Sequence, residues 1–323
     1  MRVPLLRVSR RPGALAALLV ALMGCAAPPP PAPPPLPPSA QPAPVALERP
    51  RPRVARPTSE KSAALRKYLA EVQTAQKVQG LLREDGGGPD TPFTSDVLAR
   101  NFEQIAFFNE YDGNFAGRGG ASPLRRWQVP IHMEIIFGDS VPPSQRQTDS
   151  RDIRAYADRL KRVTGHPIDL HGRPNFMVVV ASEDDRAETL AQAAARVPGI
   201  SRASLRAFAE MRSDTYCAVA AYASGGDPNV YTAAVAVIRT ENPDLLRLSC
   251  IHEELAQGLG LANDSPAARP SIFNDDDEFA LLTRHDELLL KMLYDPRLRP
   301  GMSAIEAAPF TRVIARELTG GPV

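Results

Sequence analysis

No stretch of this sequence is long and apolar enough to span a bilayer. The longest apolar run, Ala14 to Met23, has ten residues, where a crossing of about 30 Å takes roughly 20. An imbalance of charge is missing too, since 38 Lys and Arg stand against 37 Asp and Glu for a formal charge of +1. No basic stripe is interleaved with aromatics, which argues against nucleic acid as a partner. Cysteine is scarce, with three residues, and the five histidines are scattered. His132, His166, His171 and His285 read as surface or capping residues, so the chain lacks an evident nitrogen-ligand set.

What is present starts at the N-terminus. Arg2, Arg7, Arg10 and Arg11 precede the apolar run, which ends in Leu22-Met23-Gly24-Cys25. A charged start, a short apolar stretch and a small residue at the cut make residues 1–24 an export signal. The segment resembles the lipobox of bacterial lipoproteins, although Met23 departs from the usual residue there. The resemblance implies that Cys25 becomes the lipid-bearing mature N-terminus and that the membrane is contacted through this lipid. Ala26, where Asp would retain a lipoprotein at the inner membrane, implies the outer membrane with the folded part facing the periplasm. Residues 25–57 then form the anchor and a Pro-rich linker expected to be disordered, because such a composition buries no core. At about 3.1 Å per residue as polyproline II it reaches at most roughly 100 Å.

From Thr58 onward the length suits one large domain, divided as a helical preface over 58–110 and the main domain over 111–323. Hydrophobic period predicts helices over Ser59–Leu82, Ser95–Asn109, Ser150–Val163, Asp184–Ala195, Asp244–Leu261 and Leu281–Tyr294. Strands are predicted over Arg126–Phe137, Asn175–Ala181, Tyr216–Tyr222 and Val230–Arg239, the last two as a hairpin around Ser224-Gly225-Gly226-Asp227. Cys217 and Cys250 are expected to pair in an oxidising compartment, the other reading being two buried free thiols. Asp275 to Glu278 reads as an acid cluster at the start of a helix from Phe279, because it lacks the spacing of a calcium loop. The tail from Arg297 is expected to wrap the surface.

The chemistry-bearing segment is CIHEELAQGLGLAND, Cys250 to Asp264. At 100° per residue, Leu248, Ile251, Leu255 and Leu259 share one side of a helix, with Glu253 and Gln257 opposite. Gly260 is placed to stop the helix, after which the chain returns Asn263 and Asp264 toward Gln257. Adjacent acids on a helix are otherwise most often a solvated face.

This segment resembles the metzincin zinc peptidases, whose helix carries H-E-x-x-H-x-x-G-x-x-H. With Gly260 on the motif's glycine, Glu253, Gln257 and Asn263 fall on the three histidine positions and Glu254 on the general-base glutamate. Ser271-Ile272-Phe273-Asn274 resembles the Met-turn, with Phe273 in place of methionine. The direct register from His252-Glu253 places Ala256 where a second histidine is needed. The same residues, together with Leu259, Asp264 and Asp275, resemble a proteobacterial family known only as domain of unknown function 2927. These resemblances imply an α+β, α/β-like, zincin-type domain in which a mixed sheet packs against an active-site-type helix. They imply a degenerate metal site and supply no activity.

Two functions follow. The first is a non-catalytic binding or structural lipoprotein of the cell envelope that keeps a peptidase-shaped cleft around Glu253, Gln257, Asn263 and Asp264, for a peptide or envelope polymer. It requires no cofactor beyond the lipid on Cys25. The alternative is a metal-dependent peptidase with non-histidine ligands and Glu254 as general base.

Overall fold

The computed structural model describes residues 58–110, 119–274 and 276–320; the signal segment, Cys25, the Pro-rich linker and Asp275 lie outside the described residues. Eight helices are described: α1 (Glu60–Val78), α2 (Ser95–Ala106), α3 (Pro143–Thr164), α4 (Arg186–Arg196), α5 (Arg202–Ala209), α6 (Asp244–Gln257), α7 (Arg284–Leu293) and α8 (Ala304–Thr319). The strands are β1 (Arg126–Trp127), β2 (Ile131–Phe137), β3 (Ile168–Asp169), β4 (Phe176–Ala181), β5 (Cys217–Tyr222), β6 (Val230–Tyr231) and β7 (Ala233–Arg239).

The main sheet has the order β3-β2-β4-β7-β5, parallel except for β5, which runs antiparallel to β7. The central strands β4 (FMVVVA) and β7 (AAVAVIR) are buried at every position, as expected where helices cover both faces of a parallel sheet. Alternate side chains serve two cores. Phe176, Val178 and Val180 join the core that includes residues of α2, α3, α6 and α7, while Met177, Val179 and Ala181 pack with Leu190 and Ala193 of α4 and Phe208 of α5. The result is a mixed sheet between two helical layers, with α6 on the larger core.

α1 fixes the start of α6. Its N-cap Ser59 accepts from the Ser62 amide; Ser62 Oγ donates to Glu241 at 2.6 Å, and Gln73 accepts from the Leu246 amide at 2.9 Å. Leu65 and Leu69 pack on Leu246. The preface is therefore continuous with the body that holds the site.

Several expectations are corrected. The strand predicted over 126–137 breaks before Ile131: β1 pairs with β6 in a separate two-stranded sheet, and only β2 joins the main one. Pro130 between them has no N–H to give to a ladder. Helix α5 forms where the hydrophobic period predicts no element. Helix α7 begins after Thr283, whose side chain forms a capping box with Asp286. The acids ahead of it therefore serve other partners: Glu278 pairs with Arg83 and Arg269, and Asp277 accepts from Gln76. The tail is helical. It forms α8, capped by Ser303 and Glu306 and ended by Gly320 in the left-handed conformation, and it buries Ala307 and Ile314. His285, expected as a surface or capping residue, is fully buried against Asn101 and the Phe93 ring.

Candidate functional site

α6 is held along its whole length. Near its start Arg247 bridges Asp149 at 2.8 Å and Asp244 at 2.9 Å, and donates to the Asn242 carbonyl. Mid-helix, His252 stacks on Tyr156 with ring centroids 4.0 Å apart, and Tyr156 Oη donates to the His252 carbonyl at 2.7 Å. His252 Nδ1 accepts from the Leu282 amide at 3.0 Å. Burial, with Arg159 adding to it, lowers the imidazole to about 3, so it stays neutral. His252 is a packing residue that faces away from any ligand set. At the C-terminal end Trp127 Nε1 donates to the Gly258 carbonyl and Tyr294 Oη to that of Leu259.

The glycines after the helix answer to close approach. A Cβ at Gly258 would stand 2.6 Å from the Phe176 ring, and one at Gly260, where φ is +130°, would collide with the Arg125 carbonyl. The chain turns back as the sequence led one to expect, and Gln257 Nε2 donates to Asp264 Oδ1 at 3.2 Å. Asn263 does not join them. Its amide is spent on the Gln104 carbonyl at 2.9 Å and the Asp264 carbonyl at 2.8 Å.

The expected disulfide is present: Cys217 of β5 and Cys250 of α6 are bonded, with Cα atoms 5.8 Å apart. It clamps the edge strand against the helix and brings Cys217 beside Glu253 and Glu254. Glu253 is half-buried, whereas Glu254 is only 4% exposed and its Oε2 has no hydrogen-bond partner. Burial pushes the Glu254 carboxyl well above its ordinary range, and Glu110 and Asp264 add to the shift. That burial rules out the solvated-face reading for this residue. Glu110, from the loop after α2, carries no motif and was missed by sequence reasoning. Its role becomes visible only when the chain after α2 is laid beside α6.

These groups line a groove along β5. A cavity of about 720 Å³ takes in Cys217, Ala218, Glu253, Glu254 and Asp264, and a second of about 310 Å³ takes in Ala220, Ala221 and Tyr222. Both are bounded by Glu110, Val219 and Gln257, so the two cavities adjoin beside the strand. β5 is the edge of the sheet, with no described strand on its far side, and every residue of it is half-buried.

The family described as "Protein of unknown function (DUF2927)" matches residues 95–313. The chain belongs to this family. No curated protein and no solved structure matches it. Every site residue named above, from Glu110 to Asp264, falls inside the matched span of the DUF2927 chain, while α1 precedes it.

The donors do not fit the zinc ion that a metzincin-type site would hold. Of the three residues in ligand register, Asn263 and Gln257, whose amide nitrogens donate to backbone carbonyls and to Asp264, have only neutral amide oxygens to offer, and only Glu253 offers a carboxylate. Among the described residues, one group of three His, Cys, Asp or Glu has ligand atoms mutually within 4.8 Å, namely Cys217, Glu253 and Glu254. Its sulfur is consumed by the disulfide, and a thiolate is what a metal needs. No catalytic step through a metal follows from this arrangement. Ser271, Ile272 and Phe273, the segment resembling a Met-turn, are held by Asp286: its carboxylate accepts from Ser271 Oγ at 2.6 Å and from the Ile272 amide at 3.1 Å. Phe273 is fully buried and its carbonyl accepts from the Ser265 amide, so the turn braces the chain that leaves α6.

Proposed function

We propose that this DUF2927 protein is a lipid-anchored cell-envelope protein that binds an extended peptide, or a peptide-bearing envelope polymer, without cleaving it. The observation that carries this reading is the groove along the open edge of β5. An edge strand presents a row of backbone donors and acceptors, and a peptide that adds to it as a further strand satisfies them at once. The six residues of β5 correspond to about 20 Å of extended chain, at about 3.3 Å per residue. Non-catalytic binding is favoured by the chemistry of the residues in ligand register: Gln257 and Asn263 offer only neutral amide oxygens, and Cys217 beside Glu253 is bonded in the disulfide. The signal segment, Cys25 and the linker support placement at the outer membrane facing the periplasm, where the oxidised Cys217–Cys250 pair is at home. The peptidase-like ancestry is supported by α6, its glycine turn and the braced segment at Ser271–Phe273 acting together.

The test uses the mature protein with its disulfide intact. A panel of capped peptides is titrated by calorimetry, each against a version N-methylated at alternate backbone nitrogens. Binding that N-methylation abolishes supports strand addition, and equal binding of both forms refutes it. Mass spectrometry of the same mixtures after prolonged incubation, with and without added zinc, shows intact peptides on this reading. Cleavage by the wild type that is lost in Glu254→Gln would establish the hydrolase instead.

A further inference from the structure

Resting on that reading of the groove, we propose that it selects an extended polypeptide whose residues alternate between apolar and uncharged hydrogen-bonding side chains. The alternation is set by β5. Cys217, Val219 and Ala221 turn to the core that holds α6, while Ala218, Ala220 and Tyr222 turn to the core that holds α5. A chain that pairs with β5 inherits this division, because opposed residues in a sheet share a face and successive ones change face. Every second residue of the ligand therefore meets the α5 side of the groove, and the others meet the α6 side.

The two sides differ in chemistry. Toward α5 the larger cavity is lined by Ala207, Phe208 and Met211, with Glu210 and Arg212 exposed at its rim. The small side chains of Ala218 and Ala220 leave room on this face for a larger neighbour on the added strand. Nearer Tyr222 the α5 side ends in Ser201 and Ser204, whose hydroxyls bond each other at 2.8 Å, so the apolar selection is strongest beside Ala218. Toward α6 the lining is polar, with Glu253, Gln257 and Asp264. A leucine on the α5 side exchanges water for apolar surface, whereas on the α6 side it strips water from polar groups and returns no hydrogen bond. A threonine behaves in the opposite way. A carboxylate on the α6 side meets like charge, which opposes binding.

Both sides are fixed to the sheet. Arg186 donates to the carbonyls of Phe208 at 2.8 Å and Ala209 at 3.0 Å, and Arg239 to that of Met211 at 2.8 Å. The two guanidiniums share Glu183, at 2.9 and 2.7 Å. On the other side the Cys217–Cys250 bridge holds α6. A groove so preorganised discriminates by pattern, since neither side moves aside for the wrong residue. The chemistry of the occupant is that of an unpaired amphipathic strand of another protein, with its backbone free to pair.

The experiment uses the mature oxidised protein and three capped hexapeptides, matched to the six residues of β5, each with a solubilising tail. One alternates leucine and threonine, the second carries the same residues in two blocks, and the third alternates leucine and glutamate. By calorimetry the alternating leucine–threonine peptide is expected to bind roughly tenfold tighter than the block peptide, which in either register sets at least one leucine against α6. The glutamate peptide is expected to bind weakest, by a margin that narrows as salt rises. In Ala207→Glu the alternating and block peptides come to within about twofold of each other, and in Glu253→Gln the gap between the threonine and glutamate peptides shrinks. Thermal melts check that each variant is folded, and Met211→Thr replaces Ala207→Glu if it is not. Equal affinity of the alternating and block peptides for the wild type overturns the two-sided selection while leaving the strand-addition groove standing. Glutamate and threonine peptides of equal affinity overturn the chemistry assigned to α6. Failure of all three to bind overturns this inference and the groove reading together.

Discussion

Replacing both Cys217 and Cys250 by alanine tests how the groove is built. The bridge closes a loop of 33 residues between β5 and α6, and on the chain-entropy account such a loop stabilises by about 3.7 kcal/mol at 25 °C. For a domain of this size about 2–4 °C of melting temperature accompanies each kcal/mol, so the variant is expected to melt about 7–15 °C lower. Cys250 is buried and Cys217 half-buried, so lost packing adds to this figure. Differential scanning calorimetry of the wild type, the double variant and the wild type under a non-thiol reductant separates the two contributions, since reduction leaves the side-chain volume in place. Because the bridge joins the two walls of the groove, peptide affinity should fall as well, in the variant and on reduction alike. A drop below about 3 °C with unchanged affinity would refute the view that this bridge holds β5 against α6.

Three further outcomes are expected. Glu254 has a folded pKa raised above its ordinary 4.5, so its contribution to stability is present below pH 4.5 and is lost as pH rises toward the folded value. Glu254→Gln cannot lose it, and the melting temperature of the variant relative to wild type should climb as pH rises above 4.5; a flat or falling difference would contradict the raised carboxyl. His252 is the reverse case, lowered by burial from 6.5 to about 3, so stability present above pH 6.5 is lost on acidification, by an amount on the order of several kcal/mol. In His252→Phe the acid limb of a urea-denaturation series should flatten, while stability at pH 7 falls by about 1–3 kcal/mol because the Leu282 amide loses its acceptor. Arg247→Ala leaves Asp149, 1% exposed, as a buried charge without its cation, and chemical denaturation should show a loss of about 3–5 kcal/mol. A cost below 1 kcal/mol would mean that this pair does not anchor α6.

Much of the architecture was legible because it is written in local period. The unbroken apolar runs of β4 and β7 and the amphipathic repeats of α2 and α4 are properties of each segment alone. The return of the chain after α6 was readable from Gly260 and placed Asp264 on Gln257 as expected. Where reading failed, a partner distant in sequence had decided. α7 starts at Thr283 because Asp286 caps it and at the same time holds Ser271 and Ile272. The acids before it answer to Arg83 and Arg269 instead of to a helix dipole.

At the site the division is equally clear. That Glu253, Glu254 and Gln257 ride one helix ending in a glycine turn, and that no histidine follows at ligand spacing, are facts of order along the chain and were legible from it alone. Tertiary packing alone made Glu254 a buried acid with its carboxyl pushed up, turned Asn263 away, and set the bonded Cys217 beside the acids with Glu110 lining the same cavity. Burial and ionisation depend on what packs around a group, and here Glu110 and β5 arrive from segments far along the chain that no local pattern connects to α6.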